Sequence, residues 1–320
     1  MDPLLEGRLT SCFALTEPHV ASSDPTAITT AAVRAGDDWV INGHKWFASN
    51  ASFADFLLVF AVTDPGAERH RRASMFVVER DTPGLEILRD VPTMHHPYEA
   101  AAPRWYGGHA EVRFVDCRVP AANMIGDPGD AFLLAQRRLN GGRIHHAMRW
   151  VGQCRRAFDM MCERAVSREL KGAPLGDRQL VQQMIARSSI ELEAFRLLTL
   201  RTAWTWDNEG PKAARQMVSE IKLWGAQVLH DVVDRAIQVH GALGYSSDLP
   251  LEEMYRTARN FRISDGADEV HIETIARSVL RHYAPVEGHP SEHVPTRLAR
   301  AETKYAAFLG HDAASQELGS

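Results

Sequence analysis

The sequence has no C-x-x-C pair, no long basic run and no apolar stretch that approaches the length of a membrane span. Its four cysteines, Cys12, Cys117, Cys154 and Cys162, are scattered along the chain. That scatter suits reduced thiols in a cytosol-like compartment better than a disulfide framework. The formal net charge is only -5, with both signs spread along the chain, which argues against nucleic acid as a partner. The opening MDPLLEGRLTS lacks the features of a signal or transit peptide. A cytoplasmic, bacterial-type location is expected, or a mitochondrial or peroxisomal one in a eukaryote. No internal repeat or low-complexity tract occurs. The histidine pairs His95-His96 and His145-His146 do not suggest a metal centre. Adjacent helical residues point about 100° apart, and no carboxylate or cysteine stands beside either pair at ligand spacing.

What is present describes an ordinary soluble domain pair. The chain has 320 residues and is 45% hydrophobic, enough for a core without disulfides or structural metal. Residues 11–15, 27–34, 39–47, 56–62, 74–79, 85–88 and 110–115 are rich in β-branched and aromatic side chains and are separated by turn residues. Gly36-Asp37-Asp38 predicts a hairpin turn. Short strands with no helix between them predict an antiparallel β-barrel or sandwich over residues 1–127. From about Pro128 the period changes. Residues 178–207 carry Leu180, Met184, Leu192, Phe195 and Leu198 at helical spacing. Residues 213–240 carry Met217, Ile221, Trp224, Val228, Val232 and Val239. These stripes predict a C-terminal helical bundle over 128–284, giving an α+β protein. Residues 285–320 turn polar and Pro-rich, with an amphipathic stretch at 299–309, and suggest a tail or interface arm.

Four constellations could carry chemistry. TEPHVASSD, Thr16 to Asp24, follows a strand and offers hydroxyls and amides to a polar ring edge or a phosphate. It would equally close a loop with Asx and Ser turns. INGHKWFASN, Ile41 to Asn50, places Phe47 and Ser49 on one face of a strand, an aromatic wall beside a hydroxyl. QVHGALGY, Gln238 to Tyr245, ends a helix in a turn where Gly241 could cap it or admit a pyrophosphate. In FRISDGADEVH, Phe261 to His271, Asp265 and Asp268 could cap a helix, or Asp265 could be a general base at a helix junction.

Taken together, FALTEPHVASSD, INGHKWFASN, GGRIHHAMR, DRAIQVHGALGYSSDLPLEEMYRTAR and SDGADEVH resemble the acyl-CoA dehydrogenase superfamily over about residues 1–284. The likeness is closest to the branch that includes vertebrate members with an appended kinase-like domain. The resemblance implies FAD held between the β-domain and the helices. It places Phe13, Leu15 and Thr16 at the flavin's pyrimidine side, and Ser23 near the phosphates and the CoA arm. It places Phe47, Ala48 and Ser49 beside the isoalloxazine, with Ser49 standing for the usual Thr. Arg168 and Gln179 match residues that hold the ADP half of FAD across a subunit interface. The turn Gln238, Val239, His240, Gly241 and Ala242 matches the pyrophosphate loop, also used across that interface. Ala267, Asp268 and Glu269 fall in the last FAD-contacting segment, where Ala267 and Glu269 depart from the usual Thr and Gln. Asn140, Gly141, Gly142, Arg143 and Gly266 match acyl-CoA contacts.

Asp265 falls where many members carry the catalytic Glu, and the likened branch also has Asp-Gly there. The implied reaction is α,β-dehydrogenation of an acyl-CoA thioester to a trans-2-enoyl-CoA, with electrons passed to an electron-transfer flavoprotein. The resemblance also implies a homodimer or homotetramer. Family members carry a helical domain before the TEP motif, and this sequence starts a few residues ahead of it. A fragment, a partner chain supplying that wall, and a degenerate relative all remain open. So do a same-fold flavin oxidase and a non-catalytic partner subunit.

Overall fold

In a computed structural model of the chain, residues 2–94 and 108–316 are described, those from 309 onward by backbone alone. His95 and His96 lie outside the described residues. The chain divides into two compact units, Met1–Ile275 and Ala276–Ser320.

The first unit opens with one helical turn, α1 (Asp2–Leu5). Eight strands follow: β1 (Ser11–Ala14), β2 (Ala31–Ala35), β3 (Asp38–Ser49), β4 (Phe56–Val62), β5 (Ala73–Glu79), β6 (Leu85–Asp90), β7 (His109–Pro120) and β8 (Met124–Ile125). They form a single sheet in the order β6-β7-β3-β2-β4-β5-β8, with β1 joined to β4. The expected β-domain ahead of a helical bundle holds, but its sheet is mixed and unclosed where an antiparallel barrel or sandwich was expected. The order is open, and both β1 and β2 run parallel to β4. Turn residues do mark the β2–β3 hairpin, where Ala35 pairs with Asp38 across Gly36-Asp37. Pairing between strands distant in sequence leaves no such local signal. β4 is apolar at every position, as suits a strand paired along both edges and covered on both faces.

β1 and β2 share one edge of β4, with Ala14 opposite Val59 and Ala31 opposite Val62. The chain therefore leaves this edge after Ala14 and rejoins it at Ala31. The excluded segment bonds to β3 instead. Trp46 N donates to Thr16 O at 3.1 Å, and Thr16 Oγ1 donates to Trp46 O at 2.6 Å. Beside them lies a buried ion pair. Lys45 Nζ is 2.8 Å from Glu17 Oε1 and donates to Leu15 O at 2.9 Å. Glu17 also accepts from the backbone of Thr29 and Thr30 and from the Thr29 hydroxyl. One carboxylate thus ties both ends of the excluded segment to β3.

Immediately after Lys45, β3 carries a bulge. Its register against β7 moves from Lys45–Val112 to Ala48–Ala110, so three steps on β3 match two on β7. Phe47 takes the left-handed region at φ 49. Simple alternation would put Lys45, Phe47 and Ser49 on one face. The extra residue breaks that phase: Lys45 and Ala48 are buried while Phe47 and Ser49 are exposed.

The helices of this unit are α2 (Ala131–Ser167), α3 (Gln179–Glu209), α4 (Pro211–His240), α5 (Ala242–Tyr245) and α6 (Leu251–Asn260). A small ribbon, β9 (Glu169–Leu170) with β10 (Ala173–Pro174), lies between α2 and α3. Helix α7 (Asp268–Leu280) starts in this unit and ends in the next. The start of α2 packs Ala131 and Ala135 against Phe60 and Met75 of the sheet. Further along, Trp150, Cys154 and Met161 join Phe195 and Ile221 in the core of the bundle. α2 therefore belongs to both layers. α4 is buried over more than the expected stripe, since Lys222, Gly225, Ala226 and Leu229 are covered as well as Ile221 and Val228. Leu180, expected in the α3 stripe, is 72% exposed at the helix start. In the second unit, α8 (Val294–Gln316) is a longer helix than the amphipathic stretch expected there.

Removing one member of a buried ion pair strands the other, at a cost of roughly 3–5 kcal/mol. Lys45→Met should therefore lose about that much stability in urea unfolding. A loss below about 1 kcal/mol would show that Glu17 finds water in the folded state.

Candidate active site

The loop between α6 and α7 holds the acidic group singled out above, and buried cations set its shape. Lys222 of α4 is 1% exposed. Its Nζ donates to Phe261 O at 2.7 Å and to Gly266 O at 2.6 Å. Burial lowers the Lys222 pKa to about 8, although the nearby carboxylates of Asp268 and Asp265 oppose this. From α2, Arg143 Nε donates to Asp265 O at 3.0 Å, while its Nη1 reaches Asn140 Oδ1 at 3.0 Å. His271 of α7 approaches the same carbonyl, Nε2 to Asp265 O at 3.3 Å. A charge removed from water has to be met by fixed dipoles. Here three main-chain carbonyls do so, and the loop must turn to present them. Asp265 and Gly266 accordingly sit at φ 56 and 96. Gly takes that region freely, and Asp does so more readily than most other residues. A Cβ on Gly266 would also stand 2.9 Å from His271 Nε2.

This arrangement leaves the Asp265 side chain free of any capping duty. Its Oδ2 lies 2.8 Å from His146 Nε2 on α2. Burial pushes the Asp265 carboxyl up, but His146, Arg143 and Lys222 outweigh it and hold the group below the usual carboxylate range. An ionised carboxylate at a helix junction, about a third exposed, can take a proton from a carbon acid brought to it. Asp268, the other expected cap residue, pairs instead with Arg262 at 2.8 Å and is buried. It is turned toward its own loop, whereas Glu269 is exposed.

The second cluster lies on the sheet. Phe47 is 41% exposed, meets Trp46 edge-on and stacks on His109 at 5.6 Å. Ser49 Oγ is 2.8 Å from His109 Nδ1. An exposed ring with a hydroxyl at its edge fits a flat heterocycle such as a flavin. Thr16 fits less completely, because its hydroxyl hydrogen is spent on Trp46 O and only its lone pairs remain. Phe13 is half-buried beneath the Arg138 guanidinium, 4.6 Å from its centroid. Leu15 uses its carbonyl on Lys45, and Ser23 is exposed at φ 50.

The remaining expected residues fall elsewhere. Gly241 ends α4 at φ 65, with nothing within 4 Å of a Cβ placed there, while its own N–H caps the helix on Ile237 O and its carbonyl accepts from Gly244 N. Gln238 and Ala242 are exposed beside it. Val239 and His240 are buried. His240 Nδ1 donates to Ala236 O within its own helix. Gly141 and Gly142 lie on α2 between Asn140 and Arg143, with nothing within 4 Å of their Cβ positions. Arg168 and Gln179 flank the ribbon at the far end of α2 and are exposed. Arg168 is roughly 33 Å along that helix from His146, at about 1.5 Å per residue. The structure therefore does not bring these two to the Asp265 cluster.

Lys45, Glu17, Lys222, His146 and His271 are the polar side chains the motifs did not single out. Two had a sequence signal. Lys45 has the inward phase of Ile41 and Gly43, and Lys222 stands next to Ile221 within an apolar helix stripe. A lysine on a core-facing phase demands a partner.

His271 is 2% exposed, and burial pushes its pKa down to about 4, with Arg143 and Lys222 adding to the effect. Unfolded, it takes a proton below about pH 6.5. Between those values the unfolded chain binds more protons, so stability must fall as pH falls from about 6.5 toward 4. His271→Asn should flatten that part of the stability–pH curve measured by urea unfolding. An unchanged slope would place the acid sensitivity elsewhere.

Residues 12–99 match the acyl-CoA dehydrogenase middle-domain model, and residues 129–280 match the acyl-CoA dehydrogenase C-terminal-domain model. The chain is 45% identical over 282 residues to the Mycobacterium tuberculosis protein named "Probable acyl-CoA dehydrogenase FadE2", covering 87% of this chain and 67% of that one. It is 42% identical over 287 residues to mouse acyl-CoA dehydrogenase family member 11, covering 89% of this chain and 36% of that protein. A solved Mycobacterium abscessus structure, described as a candidate acyl-CoA dehydrogenase, superposes with a TM-score of 0.82 at 41% identity, over 88% of this chain and 69% of that one. The chain thus spans about two thirds of its mycobacterial relatives and about a third of the mouse one.

Proposed function

The chain belongs to the acyl-CoA dehydrogenase family of oxidoreductases, and on that premise we propose that it oxidises an acyl-CoA thioester to a trans-2-enoyl-CoA with FAD bound. The observation that carries the reading is the Asp265 carboxylate. It is ionised, freed from capping and held at a junction whose backbone is bound by Arg143, Lys222 and His271. Asp265 takes the α-proton. An α-carbon yields its proton only as the thioester oxygen gains charge, and main-chain N–H groups beside the base suit that task. The flavin, when bound, supplies the hydride acceptor for the β-carbon. Phe47 and Ser49 would hold its ring system, and the Gly241 turn would receive the pyrophosphate of FAD held by a second copy of the chain. An electron-transfer flavoprotein would be the electron acceptor. Arg168, just past the end of α2, and Gln179, at the start of α3, lie away from the Asp265 cluster. We assign them to the ADP half of FAD held by a second copy of the chain, which makes the active form at least a dimer.

Asp265→Asn keeps the side-chain shape but cannot accept a proton at neutral pH. It should retain FAD while anaerobic bleaching by acyl-CoA slows by about 10²–10⁴-fold. Bleaching near the wild-type rate would move the base to another residue. The interface assignment has its own check. The flavin-loaded protein should run as an oligomer in light scattering, and Arg168→Ala should lose FAD on gel filtration. A flavin-loaded monomer would refute it.

A further inference from the structure

The Asp265 carboxylate has two oxygens, and only one is engaged. Oδ2 meets His146 Nε2 at 2.8 Å, while Oδ1 makes no hydrogen bond among the described residues. Which atom carries the hydrogen in that contact follows from the other side of the ring. The Arg149 guanidinium Nη2 lies within hydrogen-bond reach of His146 Nδ1. A guanidinium can only donate. Nδ1 must therefore offer its lone pair, and the ring hydrogen resides on Nε2, the nitrogen 2.8 Å from Oδ2. The ring is also fixed in plane. It stacks on Trp150 with centroids 5.9 Å apart and leans on Phe261 at 5.9 Å. Trp150 is 1% exposed and itself packs on Phe261 at 4.8 Å, so this wall belongs to the core. The other charged groups facing Asp265 are Arg143 from α2 and Lys222 from α4, and both spend their hydrogen bonds on carbonyls rather than on the carboxylate.

We propose that Arg149 and His146 form a positioning relay: Arg149 holds His146 as the Nε2–H tautomer, and His146 anchors Asp265 by Oδ2, reserving Oδ1 as the oxygen that takes the substrate proton. This rests on the reading of Asp265 as the base. In the step itself the α-C–H bond breaks, its electron pair stays on the acyl group, and a new O–H bond forms at Oδ1. His146 keeps its own hydrogen throughout and is not consumed. The relay does what a shorter base requires. Asp has one side-chain torsion fewer than Glu with which to search for the substrate, so its carboxylate plane has to be set from outside.

The first measurement needs neither substrate nor turnover. In protein labelled with 15N-histidine, the His146 Nδ1 resonance should fall in the range of an unprotonated ring nitrogen and Nε2 in that of a protonated one. Arg149→Leu should shift the pair toward mixed tautomers, and Asp265→Asn should move the Nε2 signal. A protonated Nδ1 in the wild type overturns the relay. The second measurement is anaerobic flavin bleaching by acyl-CoA in the FAD-loaded chain. A hydrogen bond to a charged group is worth about 1.5–3 kcal/mol, so His146→Leu should slow the step by roughly 10–150-fold with little change in the acyl-CoA concentration for half-maximal rate. His146→Gln, which keeps an N–H donor, should restore most of it, and Arg149→Leu should fall between. His146→Leu bleaching at the wild-type rate, with Asp265→Asn inactive, would sink the relay but leave the base in place. Asp265→Asn bleaching normally would overturn both.

Discussion

Lys222 brings a positive charge into the middle of a helical bundle, and much of the site's geometry follows from the need to meet it. A buried ammonium is costly unless every hydrogen finds an acceptor. Among the described residues no carboxylate pairs with it directly. Phe261 and Gly266 turn their carbonyls toward it instead, and Arg143 gathers the Asp265 carbonyl from the other side. A chain that presents carbonyls inward at 261, 265 and 266 cannot continue as helix. It must reverse at Asp265-Gly266 through two left-handed residues. The carboxylate of Asp265 is then carried outward from the junction, because its backbone is what the cations hold. The same charges that shape the loop also favour the ionised carboxylate against burial. Backbone geometry and side-chain electrostatics therefore have one source.

The sheet uses a different solution for the same problem. There Lys45 is met by a full carboxylate, Glu17, whose pKa is held down to about 2: burial opposes ionisation, but Lys45 and the hydroxyl and amide donors of the loop prevail. Burial in turn lowers Lys45 to about 8, so both groups are charged at neutral pH. The pair fixes residues 15–17 against β3 at the point where β1 has left the sheet. Directly beyond Lys45 the β3 bulge turns Phe47 and Ser49 to the surface. Strain at Phe47, a bulky residue at positive φ, is tolerated where the surroundings fix the chain on both sides. Buried charge and exposed aromatic face are thus neighbours by construction.

These two cases show how far local pattern reaches. Period-two and period-3.6 signals located most strands and the helices α3 and α4, because burial of one face is a local property. The parallel pairing of β1 and β2 with β4 was hidden, since it depends on a loop tied by Glu17 to residues up to 28 positions away. At Asp265 the sequence left capping and base chemistry both open, and the choice lay in partners on α2 and α4 that no short motif contains. In the sequence His146 stands out only as half of a histidine pair. Its neighbour in space is a carboxylate 119 positions away, although its spacing from Arg143 and Arg149 already put three polar groups near one helical face.

The shorter acid at position 265 is the departure that tests whether these parts act together. Replacing Glu by Asp withdraws a carboxylate by one methylene and removes a degree of rotation. A loop in ordinary helical geometry would then leave the group short of a substrate. Here the backbone at Asp265 and Gly266 is everted rather than helical, so the side chain starts from a different place and direction. His146 stands one helical turn beyond Arg143 on the same helix. One element thus grips both ends of the residue, Arg143 at its carbonyl and His146 at its carboxylate. A base held at both ends trades adaptability for aim. That trade suits a group with few torsions to spend, and it makes the helix, rather than the loop, the frame against which the carboxylate is set.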